Sequence, residues 1–187
     1  MDREGLLLLQ AKHGDAKAFE SFVERFWKPV HALAYRFTGS RQEAEDLCQE
    51  VFLRVHLNLE SFRGEGKAFT WLYRVAMNVC LNWKRKRREI PMLEVAEQKS
   101  QRSTSEDAVV RLEIQDALQG LSAQDRLLLI LRKFYGFSYP EIAEMLSIPV
   151  EKVRSRLHDA KVRLAKRLEP FLEGGGEKWS VPKSNPS

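Results

Sequence analysis

An apolar repeat of three to four residues runs, with short interruptions, from about residue 3 to about residue 169 of this 187-residue chain, and it constrains the fold more than any other feature. Residues three and four apart share one face of an α-helix, whereas strands alternate. No stretch shows convincing strand alternation, so the expected fold class is all-α. The interruptions fall where helix chemistry predicts them. A first helix is expected over about 3–13 and ends at Gly14, with Asp15 as an N-cap for the next. The second covers about 16–37, with Phe19, Phe22, Val23, Phe26, Val30, Leu33, Ala34 and Phe37 on one face, a kink expected at Pro29 and a stop at Gly39. Ser40-Arg-Gln-Glu43 reads as a capping box for a third helix over 41–59, and a glycine-containing loop leads to a fourth over 68–88.

From about residue 89 to residue 105 the chain is polar and acidic and carries no aromatic residue. This composition predicts a linker. Four more helices are expected beyond it, over about 106–119, 122–135, 138–146 and 150–169, with Ser138-Tyr-Pro-Glu141 as a second capping box. The organisation is therefore two small helical domains, 1–89 and 106–173, joined by an acidic flexible linker, 90–105, with a disordered tail over 174–187.

The net charge of +5 is segregated: about +5 over 1–88, about −4 over 89–121, about +5 over 122–168 and about −1 in the tail. Two basic blocks suit a polyanionic partner, and they equally suit two solvated helix faces. Cys48 and Cys80, the only cysteines, sit inside apolar patterns without a CxxC or Cys/His partner, and read as small core residues. The histidines are scattered, so no metal or cofactor is expected. No nucleophile–base pair or phosphate loop is evident, which argues against an enzyme. The four consecutive leucines near the start are too few, and too closely flanked by Asp2 and Glu4, for a signal peptide. No apolar run approaches a membrane span, so the expected location is cytoplasmic.

The sharpest local signal lies between Ser138 and Leu168: a short helix, a three-residue turn and a longer basic helix, the pattern of a helix-turn-helix. On the last helix Val153, Leu157, Ala160, Leu164 and Leu168 form the core stripe. Glu151, Ser155, His158, Asp159 and Val162 lie opposite, flanked by Lys152 and Arg154, with Arg156 nearer the core edge and Lys161, Arg163, Lys166 and Arg167 further along. Arg can bond guanine bidentately and Glu can accept from cytosine, which makes the first turns a candidate base-reading surface. A charged outer face on a plain helical hairpin gives the same pattern.

Two faces of the first domain stand out. On the fourth helix Phe69, Leu72, Ala76, Cys80 and Trp83 read as buried, and Trp71, Arg74, Asn78, Asn82 and Arg85 as the opposite stripe. Amides can read base edges, and Arg or Trp can stack on bases. The run Lys84-Arg-Lys-Arg-Arg88 suits phosphate, or simply favours the negative end of the helix dipole. The loop Arg63-Gly-Glu-Gly-Lys-Ala68 could cradle an extruded base, or be a surface turn. On the third helix Ala44, Leu47, Cys48, Val51, Phe52, Val55 and Leu59 form the core, while Asp46, Gln49, Glu50, Leu53 and Leu57 make a second stripe that suits a protein interface.

These segments, in this order and over about residues 16–168, resemble the extracytoplasmic-function branch of the sigma-70 family of RNA polymerase sigma factors. Ala44-Glu-Asp-Leu-Cys-Gln-Glu-Val-Phe-Leu-Arg54 resembles its region 2.2, Phe69 to Asn82 its regions 2.3 and 2.4, Leu121 to Arg126 the start of region 4, and Phe137 to Leu146 with Val153 to Leu157 its helix-turn-helix. The resemblance implies a non-enzymatic initiation subunit with core RNA polymerase, promoter DNA and an anti-sigma factor as partners. It implies that Asp46, Gln49, Glu50, Leu53 and Leu57 dock on core. Arg63, Lys67, Trp71, Arg74, Asn78, Asn82 and Arg85 would hold the −10 element, and Glu151, Lys152, Arg154, Ser155, Arg156, His158 and Lys161 would face the −35 element. Asp159 departs from the family's usual basic residue, which removes a phosphate contact there. An autonomous helix-turn-helix regulator is the alternative reading of the same residues.

Overall fold

A computed structural model describes residues 2–64, 67–89 and 106–173. It contains eight α-helices among these residues: α1 (Arg3–Lys12), α2 (Ala16–Thr38), α3 (Arg41–Leu57), α4 (Ala68–Glu89), α5 (Glu106–Gln119), α6 (Ala123–Phe134), α7 (Tyr139–Leu146) and α8 (Val150–Glu173). No strand occurs among the described residues, and none of the helices is long and apolar enough to cross a membrane. The expected linker and tail lie outside the described residues.

Local chemistry sets the boundaries. Asp2, Asp15, Ser40, Ser122 and Ser138 each accept a backbone N–H of the first turn, and at Ser138 the Glu141 carboxylate returns the bond to complete a capping box. These bonds hold the Glu141 carboxyl below its ordinary range. Gly39 ends α2 in the left-handed region, at φ 83°. Two ends differ from the sequence reading. α3 stops at Leu57 because Asn58 turns its backbone and side-chain N–H groups onto the Arg54 carbonyl, and the chain tightens into a 3-10 turn, Leu59–Ser61. α8 runs past Pro170 to Glu173, since a proline there deletes one hydrogen bond of a terminal turn without having to end it.

Helices α1–α4 form one bundle and α5–α8 a second, and one continuous apolar cluster spans both, from Leu8 to Ala160. Cys48 and Cys80 are fully buried within it, as expected, and burial pushes both thiols up to about 12. The two bundles pack directly on one another: α5 and α6 lie against α2, and α6 and α7 against α4.

Candidate nucleic-acid and polymerase interfaces

The helix-turn-helix is built by α7, a turn through Ser147 in the left-handed conformation (φ 53°), and α8. The Ile148 N–H closes the turn on the Ala143 carbonyl at 3.0 Å. Val153, Leu157 and Ala160 are fully buried and fix the rotation of α8, which leaves Glu151, Lys152, Arg154, Ser155, His158, Asp159 and Lys161 exposed together. Arg156 lies at the edge of this face, nearer the core. Its guanidinium is only partly exposed and turns inward to the buried carboxylate of Asp125 at 3.1 Å and the Gln124 side-chain oxygen at 2.5 Å. Arg163 donates to the other oxygen of Asp125 at 3.2 Å. The two guanidinium groups offset the cost of burying this carboxylate between α6 and α8. Arg156 thereby anchors α8 to α6 rather than reaching outward.

On α4, Asn78, Asn82 and Arg85 lie exposed along one face, as expected. Trp71 and Arg74 belong to the same stripe but are partly buried, because each is held by a neighbour. The Trp71 ring meets the buried Phe62 ring edge-on at 5.2 Å, and Arg74 pairs with Glu144 of α7 at 2.7 Å. Between them opens a recess of about 430 Å³ lined by Ser61, Phe62, Arg63, Trp71 and Arg74. Arg63, one of its lining residues, and Lys67, further along the loop, are exposed, and residues 65 and 66 between them are outside the described residues. An aromatic floor flanked by guanidinium groups can stack a base and attract its phosphate. Further along, Arg87 is paired with Glu43 and lies over the Trp83 ring at 5.0 Å, so that part of the basic run is tied to the bundle.

On α3 the core stripe is buried as expected, and Asp46, Gln49, Leu53 and Leu57 are exposed. Leu53 and Leu57 are 52% and 64% exposed, the expected apolar centre of a contact face, while Glu50 is partly covered by its own ion pair to Arg54 at 2.7 Å.

Contacts between the bundles were not legible in the sequence. Arg126, 1% exposed, donates to the Phe37 carbonyl at the end of α2 and to the Gln119 side chain. Gln115 donates to the Tyr35 and Arg36 carbonyls, and the Tyr135 hydroxyl donates to the Pro29 carbonyl at 2.7 Å. Phe69 stacks on Phe137 at 4.9 Å, and Tyr73 lies 4.8 Å from Tyr135.

Comparison with known proteins follows the same division. The family profile described as Sigma-70 region 2 matches residues 22–90, and that described as Sigma-70, region 4 matches residues 111–164. The ECF RNA polymerase sigma factor SigW of Bacillus subtilis is 34% identical over 174 residues, 85% of this chain and 93% of its own. The chain belongs to the extracytoplasmic-function branch of the sigma-70 family. The RNA polymerase sigma-H factor of Pseudomonas aeruginosa is 32% identical over 186 residues, 91% of this chain and 96% of its own. Two solved structures share the fold. CnrH in complex with the cytosolic domain of CnrY superposes with a TM-score of 0.70 at 23% identity, over 90% of this chain and 99% of that one. The sigma factor RpoE of Bartonella quintana, in complex with the anti-sigma factor NepR, has a TM-score of 0.66 at 25% identity, over 82% and 98%. As a sigma factor, the chain serves promoter-specific initiation by RNA polymerase, and sigma factors of this family are non-catalytic initiation factors. Its region 2 match covers most of α2 and all of α3 and α4, whereas α1 precedes it.

Proposed function

We propose that this sigma factor selects promoters by gripping DNA at two points, each read by a different bundle, while a third face holds the polymerase. In this reading the exposed start of α8 enters the major groove of the −35 element. Glu151, Lys152, Arg154, Ser155 and His158 meet base edges there, and Lys161 meets the backbone. Arg156 supports the helix from behind. The recess under Trp71, with Arg63, Lys67 and Arg74, receives a base drawn from the −10 non-template strand. Asn78, Asn82 and Arg85 carry the strand along α4. Trapping an unstacked base offsets an opening cost of roughly a few kcal/mol, and the exposed cations contribute by releasing counterions. Asp46, Gln49, Glu50, Leu53 and Leu57 dock on core polymerase, with the leucines at the centre and the polar residues as the rim. The chain works as a binding subunit in the cytoplasm and performs no chemistry itself. The anti-sigma complex of the Bartonella relative supports an anti-sigma partner for this chain as well.

The observation that carries the reading is the continuity of one face of α4: an aromatic and cationic recess at its start runs into exposed amides and a cation, Asn78, Asn82 and Arg85. Asn78→Ala tests it. In holoenzyme, permanganate reactivity of promoter thymines should fall while affinity for core stays unchanged. Joint replacement of Gln49 and Leu53 by Ala should do the reverse, lowering co-purification with core. Normal thymine reactivity in the Asn78 variant overturns the −10 assignment.

A further inference from the structure

The recess on α4 depends on a loop whose direction is set from outside the matched region. Lys12, in the last turn of α1, extends across to the 3-10 turn that precedes the loop. Its ammonium donates to the Glu60 carbonyl at 2.8 Å and the Phe62 carbonyl at 3.2 Å, and lies 3.8 Å from the Glu60 carboxylate. These two carbonyls bracket Ser61, the last residue of the turn, at the point where the chain leaves regular structure. Carbonyls at the end of a helical turn lack intrahelical partners and carry the negative end of its dipole, so a cation is the group best suited to hold them. The Lys12 side chain is 23% exposed, so water competes only partly for its donors.

Phe62 is the hinge of the arrangement. Its carbonyl is held by Lys12, and its ring, 2% exposed, forms the wall against which Trp71 sits edge-on. Ser61 and Arg63, on either side, line the same recess. α1 is itself fixed by Leu8, fully buried, and by Leu7, Leu9 and Ala11 packed on the core, so the ammonium is presented from a rigid element.

We propose that Lys12 is a positioning residue for −10 recognition: from α1 it clamps the Glu60 and Phe62 carbonyls and so holds Phe62, Arg63 and Trp71 in the geometry that accepts a strand. The inference rests on the reading of the recess as the −10 site. It assigns α1, which precedes the matched residues, a part in promoter opening exerted through the loop.

The test uses holoenzyme assembled with the full chain and a fluorescent single-stranded oligonucleotide carrying the −10 non-template sequence. Lys12→Met keeps the aliphatic stem and the helix but removes the donors, and Lys12→Arg restores a cation. Charge-assisted bonds of this partly exposed kind predict about three- to tenfold weaker oligonucleotide binding for Lys12→Met. Recovery toward wild type is expected in Lys12→Arg, with unchanged affinity for core and for a −35 duplex. A loss shared equally by core and −35 binding would reveal general unfolding and overturn the positioning role. Trp71→Ala separates the two layers of the argument. If it weakens oligonucleotide binding while Lys12→Met does not, the recess stands and the role of Lys12 falls; if neither weakens it, both fall.

Discussion

Arg126 illustrates how a single side chain can be costly and still be retained. It is a guanidinium 1% exposed that makes no salt bridge among the described residues, and burial lowers its pKa from 12.5 to about 10. What holds it charged is a set of oxygens: the carbonyls of Phe37, Gln119 and Leu121 and the Gln119 side chain, with the Phe37 ring 5.4 Å away. The Phe37 carbonyl lies at the C-terminal, negative end of α2. Four acids, three buried and one partly buried, shift the other way. Burial, aided by Glu45, raises Cys48 from 9.0 to about 12, and burial raises Cys80 likewise. Burial raises Tyr135 from 10.0 to about 12, and raises Tyr73 further, with Tyr135 adding to it. An acid with a raised folded-state pKa keeps its proton where the unfolded chain has shed it. Its contribution is intact below the unfolded pKa and is lost as pH rises from there toward the folded value. Arg126 has the opposite sign, since its lowered pKa lets stability recover between about 10 and 12.5, but it is one group against four. The melting temperature should therefore hold to pH 9 and fall above it, the thiols acting before the phenols. A circular-dichroism melt series from pH 7 to 11 checks this, and Cys80→Ala should begin from a lower melting temperature but fall less steeply between pH 9 and 10. A flat profile above pH 9 would contradict these shifts.

Helix ends were the most legible elements, because caps are local chemistry. Gly39 is the clearest case. Its φ of 83° disfavours any Cβ, and a Cβ built there would sit 3.1 Å from the Gln119 amide nitrogen and 3.5 Å from that of Gln115. Gln119 donates to the Phe37 carbonyl at 3.1 Å, so the glycine both ends α2 and admits α5. Gly39→Ala should cost about 1–2 kcal/mol in urea denaturation, from the left-handed strain and the displaced amide together. Gly39→Asn, whose backbone tolerates that region better, should test the strain share by losing less of it unless its longer side chain strikes Gln119. The sequence shows the strain as a stop signal, but the neighbour, 80 residues away, it cannot show. The same limit explains α4. Periodicity found Leu72, Ala76 and Cys80, yet Tyr73, Met77 and Val79 are buried too, because α6 and α7 lie over a second side of the helix. A helical repeat reports one apolar face; it carries no information about a second body that folds back over the flank. Lys12 and Glu144 escaped detection for this reason, each being an ordinary surface charge until its distant partner is placed. Arg156 is a related case: its helical angle put it at the border of the exposed face, and the Asp125 carboxylate and the Gln124 side chain, both on α6, decide which way it turns.

At the scale of the whole molecule the two bundles are closed on one another, and the closure touches the face of α4 proposed for the −10 element. Arg74 is engaged by Glu144, Phe69 by Phe137, and Tyr73 by Tyr135, whose hydroxyl also reaches the Pro29 carbonyl. Under the proposed two-point grip these contacts have to yield, so their individual strengths bear on what opening costs. The ion pair is the weakest of them. Arg74 and Glu144 are 40% and 69% exposed, and water screens such pairs to at most about 1 kcal/mol. The aromatic contacts are worth about 0.5–1.5 kcal/mol each beyond the area they bury, and the Tyr135 hydroxyl adds roughly 1 kcal/mol by satisfying a partly buried carbonyl. Of the contacts on this face, Tyr135 should therefore contribute more to closure than the salt bridge. With fluorescent labels on single cysteines introduced at Lys17 and Lys166 of a variant lacking Cys48 and Cys80, Tyr135→Leu should lower energy transfer, as the open population grows, while far-ultraviolet ellipticity keeps its helical amplitude. Glu144→Gln should leave transfer close to the parent value, and raising salt to 0.5 M should change the parent little, because screening removes only the exposed pair. The reverse ranking, in which the Glu144 variant or salt opens the molecule and Tyr135→Leu does not, would make the contact electrostatic and leave the aromatic cluster without a part in holding the bundles together.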